Sequence, residues 1–253
     1  MRAIWWGALL LALVPVSLDA QSLADRIRQA PDGTVRLSFA ARKGVCGNGG
    51  NSISINDDHD DSEWESECQR GPVMVSLRRQ GGRIAESETH VGGRWRPGTG
   101  RVTDLGTVPA REAAHALLAL ATEVKDDDGG ELITAATLAD SAVVWPQLLR
   151  IARDTRVGED TRRQSVFWLG QAAGEAATRG LDSLVEGARG EDLEVRKQAV
   201  FALSQRPSEE GVPALIRIAR TNRHPELRKT ALFWLGQSED PRALSLFEEL
   251  LSR

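Results

Sequence analysis

Residues 56–68, NDDHDDSEWESEC, gather the densest set of side chains able to do chemistry. Asn56, Asp58, Asp60 and Glu67 fall at positions 1, 3, 5 and 12 of a calcium loop, where oxygen ligands surround a hard cation. Against this, Asp61 stands where such a loop turns on glycine, and the flanks carry no helical pattern. The same run also reads as a solvated acidic loop whose order comes from Cys68. Elsewhere the residues offer less. His59, His90, His115 and His224 are scattered, without HExxH or HxH spacing. GxSxG is absent, and GVCGNGGNS (44–52) lacks the Lys-Ser/Thr ending of a phosphate loop, so it reads as turns around Cys46. With no acid/base or nucleophile/base pair, the sequence predicts no catalysis and no cofactor.

Two cysteines, Cys46 and Cys68, are the whole thiol complement of the chain. A zinc site wants four ligands at short spacing, and this pair has no second pair to join. In an oxidising compartment a disulfide is the simplest reading, adding roughly 3 kcal/mol in the chain-entropy model. The N-terminus points to such a compartment. Arg2 precedes an apolar run from Ile4 to Val16, followed by a polar shift at Ser17 and Asp19. That run is short of the about 20 residues of a membrane span and has the anatomy of a secretory signal. Cleavage would follow Ala20 or fall within Ala20-Gln21-Ser22; an uncleaved anchor is the alternative. The expectation is therefore signal peptide 1–20, with export to a periplasmic or extracellular location and no span in the mature chain. Lys+Arg number 32 against 36 Asp+Glu, a net charge of −4 that gives no reason to expect a nucleic-acid partner.

Two periodicities divide the rest of the chain. In 21–107, SLADRIRQA is a short helix ended by Pro31-Asp32-Gly33. TVRLSFAAR (34–42), NSISI (51–55) and PVMVSLRR (72–79) alternate apolar and polar residues. RIAESETHV (83–91) follows Gly81-Gly82, which predicts a hairpin over 72–91, and 102–108 adds a short strand. So small a β-rich unit gains from a covalent staple. From 108 to 253 the spacing becomes helical, with Pro109, Pro146 and Pro213 expected in first turns and Pro241 after an Asp240 cap.

The helical part repeats itself. TRRQSVFWLGQ, VRKQAVFALSQ and LRKTALFWLGQ begin at residues 161, 195 and 227, spaced 34 and then 32 apart. WPQLLRIAR (145–153) and VPALIRIAR (212–220) form a second phrase, each preceding a copy of the first. The unit is a first helix, a turn and a second helix. DLEVRKQAVFALSQ (192–205) resembles the second-helix phrase of HEAT repeats, especially the short HEAT-like units of bilin lyases. Val195, Arg196, Ala199, Ala202 and Leu203 match, while Ser204 replaces a glycine that Gly170 and Gly236 restore. The resemblance covers about residues 109–253 and implies a helical solenoid there; with the β-rich unit before it, the expected fold class is α+β. In it, a disulfide-stapled β-rich domain precedes a right-handed α-solenoid of about four helical hairpins and a C-terminal capping helix.

About 100° per residue separates two faces of each second helix. Val195, Ala199, Ala202 and Leu203 share one face with their counterparts, Trp168 and Trp234 included; those two rings read as core, with ligand stacking as the alternative. At another register recur Arg163, Lys197 and Lys229, then Phe167, Phe201 and Phe233, then Gln171, Gln205 and Gln237. The resemblance implies that second helices line the concave side. Two readings stay open there: a protein- or peptide-binding groove anchored by Phe, or Phe rings that pack across repeat boundaries. Arg162, Arg196 and Arg228 border the apolar sector and must be paired, as the resemblance also implies. PRALSLFEELLSR (241–253) reads as a cap, or as a surface for another subunit. The leading expectation is an exported, non-enzymatic interaction scaffold. A tetrapyrrole lyase-like enzyme and an envelope calcium- or ligand-binding sensor are the alternatives.

Overall fold

Ser22 starts the first ordered element, its hydroxyl accepting the Asp25 N–H at 3.2 Å as the N-cap of α1 (Leu23–Gln29). The structure is a computed structural model that describes residues 21–50, 52–55, 68–98, 100–124, 128–172, 174–187 and 192–252. The expected signal at 1–20 and the calcium-loop candidates Asn56, Asp58, Asp60, Asp61 and Glu67 lie outside the described residues.

Among the described residues six strands follow α1: β1 (Gly33–Phe39), β2 (Val45–Gly47), β3 (Ile53–Ile55), β4 (Val73–Gln80), β5 (Arg83–Val91) and β6 (Val102–Thr107). Four of them form a sheet in the order β5-β4-β1-β6, with β1 antiparallel to β4 and parallel to β6. Alternation sets its inner face. Val35, Leu37 and Phe39 stand opposite Leu77, Val75 and Val73, and all six are fully buried. Gly81 and Gly82, both at positive φ, turn the β4–β5 hairpin. Their N–H groups donate to the Asp32 carboxylate at 2.7 and 3.1 Å, which holds that carboxyl below its ordinary range.

GVCGNGGNS needs correction. Val45–Gly47 is a strand, paired antiparallel with β3, rather than only turns. Three residues ending in glycine show no alternation, so its pairing rests on backbone bonds that sequence does not display. Gly47 is also required by space, because a Cβ there would meet the Val91 carbonyl at 2.8 Å. Cys46 on β2 joins Cys68 in a disulfide with Cα atoms 5.4 Å apart.

Nine helices complete the described chain: α2 (Ala110–Ala121), α3 (Asp128–Thr137), α4 (Trp145–Arg153), α5 (Glu159–Gly170), α6 (Glu175–Glu186), α7 (Leu193–Ser204), α8 (Ser208–Thr221), α9 (Pro225–Gly236) and α10 (Pro241–Leu251). They pack as hairpins α2/α3, α4/α5, α6/α7 and α8/α9, with α10 against α8 and α9. Among second helices, α3 packs on α5, α5 on α7 and α7 on α9, more extensively than the first helices α4, α6 and α8 pack on one another. Gly170 permits this approach, since a Cβ there would sit 2.9 Å from Ala202 Cβ. Pro213 departs from expectation. α8 begins at Ser208, so Pro213 lies inside the helix and removes one ladder bond there. Buried Val212 and Leu215 beside it tie the segment to the core regardless.

One apolar core runs without interruption from Leu23 to Leu246. The sheet and the solenoid are joined by a bridge between Ala41 and Ala139, flanked by Arg42 N–H to Leu138 O at 2.8 Å and Asp140 N–H to Ala40 O at 2.9 Å. Arg28 of α1 adds an ion pair with Glu123 beyond α2.

Candidate binding surface

The repeated register supplies the candidate surface, and its three cations are each paired within their own helix. Lys197 meets Glu194 at 2.9 Å, Lys229 meets Glu226 at 3.0 Å, and Arg163 stands 3.7 Å from Asp160. Each acid lies three residues earlier, in the first helical turn, where it also favours the helix dipole. The Glu194 hydrogen bond raises the Lys197 pKa, and Lys229 lowers that of Glu226. The row is therefore an alternation of both signs rather than a stripe of free positive charge.

The aromatic row is not uniform. Phe167 and Phe201 are half-buried, whereas Phe233 is 59% exposed. Phe201 packs across the repeat boundary on Trp234, at a centroid distance of 4.9 Å. Phe167 has no such neighbour ring, because the residue in that register on the following helix is Ala202. It packs edge-on to Trp168 of its own helix at 5.3 Å, as Phe233 does to Trp234 at 5.0 Å. Packing across a repeat boundary thus occurs at Phe201, while the Phe233 ring is left largely exposed. Gln171, Gln205 and Gln237 are all exposed at the C-terminal ends of α5, α7 and α9. A hollow of about 300 Å³ lies on this face, lined by Asp160, Arg163 and Phe167 from α5 and Gln198 from α7.

Behind this row the structure places the arginines on backbone. Arg162 donates to Val157 O at 3.1 Å and meets Asp192 at 3.3 Å. Arg196 donates twice to Val185 O, at 3.0 and 2.7 Å, and Arg228 donates to Asn222 O at 2.8 Å. Each accepting carbonyl lies at the end of the preceding first helix or just beyond it, so this row ties the two helices of each hairpin together. Trp168 is nearly buried, and its indole N–H donates to Thr134 Oγ1 at 3.2 Å.

Sequence reading missed Arg206. Its guanidinium donates to Thr178 Oγ1 (2.8 Å), Gly170 O (3.1 Å), Ala172 O, Gly174 O (3.2 Å) and Glu210 Oε2 (3.0 Å). Those bonds use its whole donor set to fix the turn between α5 and α6. Thr178 and Arg206 hold the Glu210 carboxyl below its ordinary range. Carbonyl acceptors have no sequence signature; the one local signal is the i,i+4 spacing of Arg206 and Glu210.

Among the described residues, no helix is long and apolar enough to cross a membrane, and no group of three His, Cys, Asp or Glu is placed to hold a metal. Among curated proteins, none matches the chain. The family model for HEAT repeats matches residues 181–253, from within α6 through α10. Together with the stacked hairpins, that match supports HEAT repeats in this part of the chain.

Proposed function

We propose that the chain is a non-enzymatic interaction scaffold that holds a protein partner along the second helices of its solenoid. One observation carries the reading. An acid–cation pair, an aromatic ring and an exposed glutamine recur at one register on α5, α7 and α9, and Phe233 is left largely in solvent. Repetition of buried residues follows from stacking, but stacking does not call for a repeated exposed amide and ion pair. The tighter packing among second helices supports a concave placement for this face. Rigid aromatic anchors bordered by paired charges are the composition of a specific rather than merely sticky surface.

Export belongs to the same proposal. Its support is the apolar leader ahead of residue 21 and the Cys46–Cys68 disulfide, which persists in oxidising compartments. Sequencing the N-terminus of the protein recovered from fractionated cells tests this part. A start near Gln21 in the envelope or medium is expected, and an intact Met1 in the cytosol refutes it.

For the binding face, the test is affinity capture with the wild-type chain beside Phe233→Ser and Lys229→Glu. The expected outcome is a partner retained by the first and lost by both variants, whose thermal unfolding is unchanged. Equal capture by all three removes the reading.

A further inference from the structure

A second surface shares only Gln171 with the repeated register. Arg42, Ser141, Val143, Trp145, Trp168 and Gln171 line a cleft of about 480 Å³, where the β unit meets the second hairpin. Its size falls in the range of ligand pockets, and its walls mix apolar and polar surface about evenly. Three segments far apart in sequence build it. The Ala41–Ala139 bridge brings Arg42 beside the loop that leads into α4, and α5 contributes Trp168 and Gln171 from its C-terminal end.

Charge is what makes the cleft specific. Arg42 is the one ionised side chain in the lining, and among the described residues it has neither an ion pair nor a side-chain hydrogen bond. Its Nε is buried from water with no acceptor. A donor in that state is costly unless an acceptor reaches it. Asp140 in the same loop is exposed and does not serve. Two further features mark the loop. Val143 is 62% exposed, and Ser141 holds a left-handed backbone with φ 53°, a conformation that a non-glycine residue keeps only when its surroundings impose it.

We propose that this cleft receives the C-terminal end of a peptide chain whose last residue is large and apolar. The terminal carboxylate pairs with Arg42, since the fork of a guanidinium matches two carboxylate oxygens. The apolar side chain lies against Trp145 and Val143, while Gln171 and the Ser141 hydroxyl offer partners for the last peptide groups. A small acid would satisfy Arg42 but leave those polar groups unused.

The test is fluorescence anisotropy of the full mature chain with a labelled hexapeptide ending in phenylalanine, as free acid and as C-terminal amide. The free acid should bind about tenfold or more tighter than the amide, the size of a charge-assisted bond. Arg42→Gln, which removes no side-chain hydrogen bond or ion pair among the described residues, should bring the acid down to the amide, and Val143→Asp should weaken both. Equal binding of acid and amide, an unchanged ratio in Arg42→Gln, or no binding at about 1 mM overturns the proposal. So does 3-phenylpropionate binding as tightly as the peptide, which would assign the cleft to small acids. Arg42 and Val143 lie outside the α7–α9 row. Failure here therefore leaves the scaffold reading standing, and loss of that reading leaves this one untouched.

Discussion

Phe201 of α7 lies against Trp234 of α9, their ring centroids 4.9 Å apart across a repeat boundary, while Phe233 in the same register as Phe201 is 59% exposed. One sequence position therefore packs across a boundary in one repeat and leaves its ring in solvent in the next. Phe201→Ala should cost about 2 kcal/mol, less than a fully buried ring, and a double-mutant cycle with Trp234→Ala should show about 1 kcal/mol of coupling. Phe233→Ala should stay within about 0.5 kcal/mol of wild type. Urea unfolding of the four variants measures all of this.

Arg206 should be the most sensitive polar position of the helical array. Removing it leaves three carbonyls, Thr178 and Glu210 without their shared donor. Arg206→Ala should lower stability by about 3 kcal/mol, and Arg206→Lys should recover only part, because an ammonium cannot reproduce the planar fork. Denaturant midpoints give the comparison. Hydrogen exchange should show the loss first in the α5–α6 turn.

The end of the array should loosen in acid. Asp240 caps α10, accepting the Arg242 N–H at 2.9 Å, and the Arg242 guanidinium holds its carboxyl at about 2 against an ordinary 3.8. A carboxylate with a depressed folded value adds stability above its unfolded value, and loses it as pH falls from 3.8 through about 2. Amide exchange in α10 should therefore accelerate over that window. Asp240→Asn, which still caps but cannot ionise, should flatten the dependence.

Reducing the Cys46–Cys68 disulfide, or replacing both residues with Ser, should destabilise the chain by about 3 kcal/mol. The β2–β3 pair should lose protection before the main sheet does, because β1 and β4 are held by their own buried face. Differential exchange of oxidised and reduced protein decides this.

Legibility in the sequence depended on whether an element leaves a local pattern. The second helices were legible because the buried set Val195, Ala199, Ala202 and Leu203 is written again in each copy, and the hairpin over 72–91 because two glycines separate alternating runs. β2 was not, since three residues with glycine at their end carry no period. Pro213 misled because a prolyl ring is tolerated inside α8 where buried neighbours hold it. The split roles of Phe167, Phe201 and Phe233 depend on which side chain the next helix brings, which is a matter of stacking. Arg42 and Trp145 show no relation in sequence at all; a single backbone bridge between the sheet and the solenoid sets them at one cleft.

The most direct test of the binding face is quantitative capture by the wild-type chain and by a combined Lys197→Ala, Lys229→Ala, Phe233→Ser variant, each checked by thermal unfolding. The scaffold account predicts midpoints within about 3 °C of each other and at least a tenfold loss of captured partner. Undiminished capture by the correctly folded variant would contradict it.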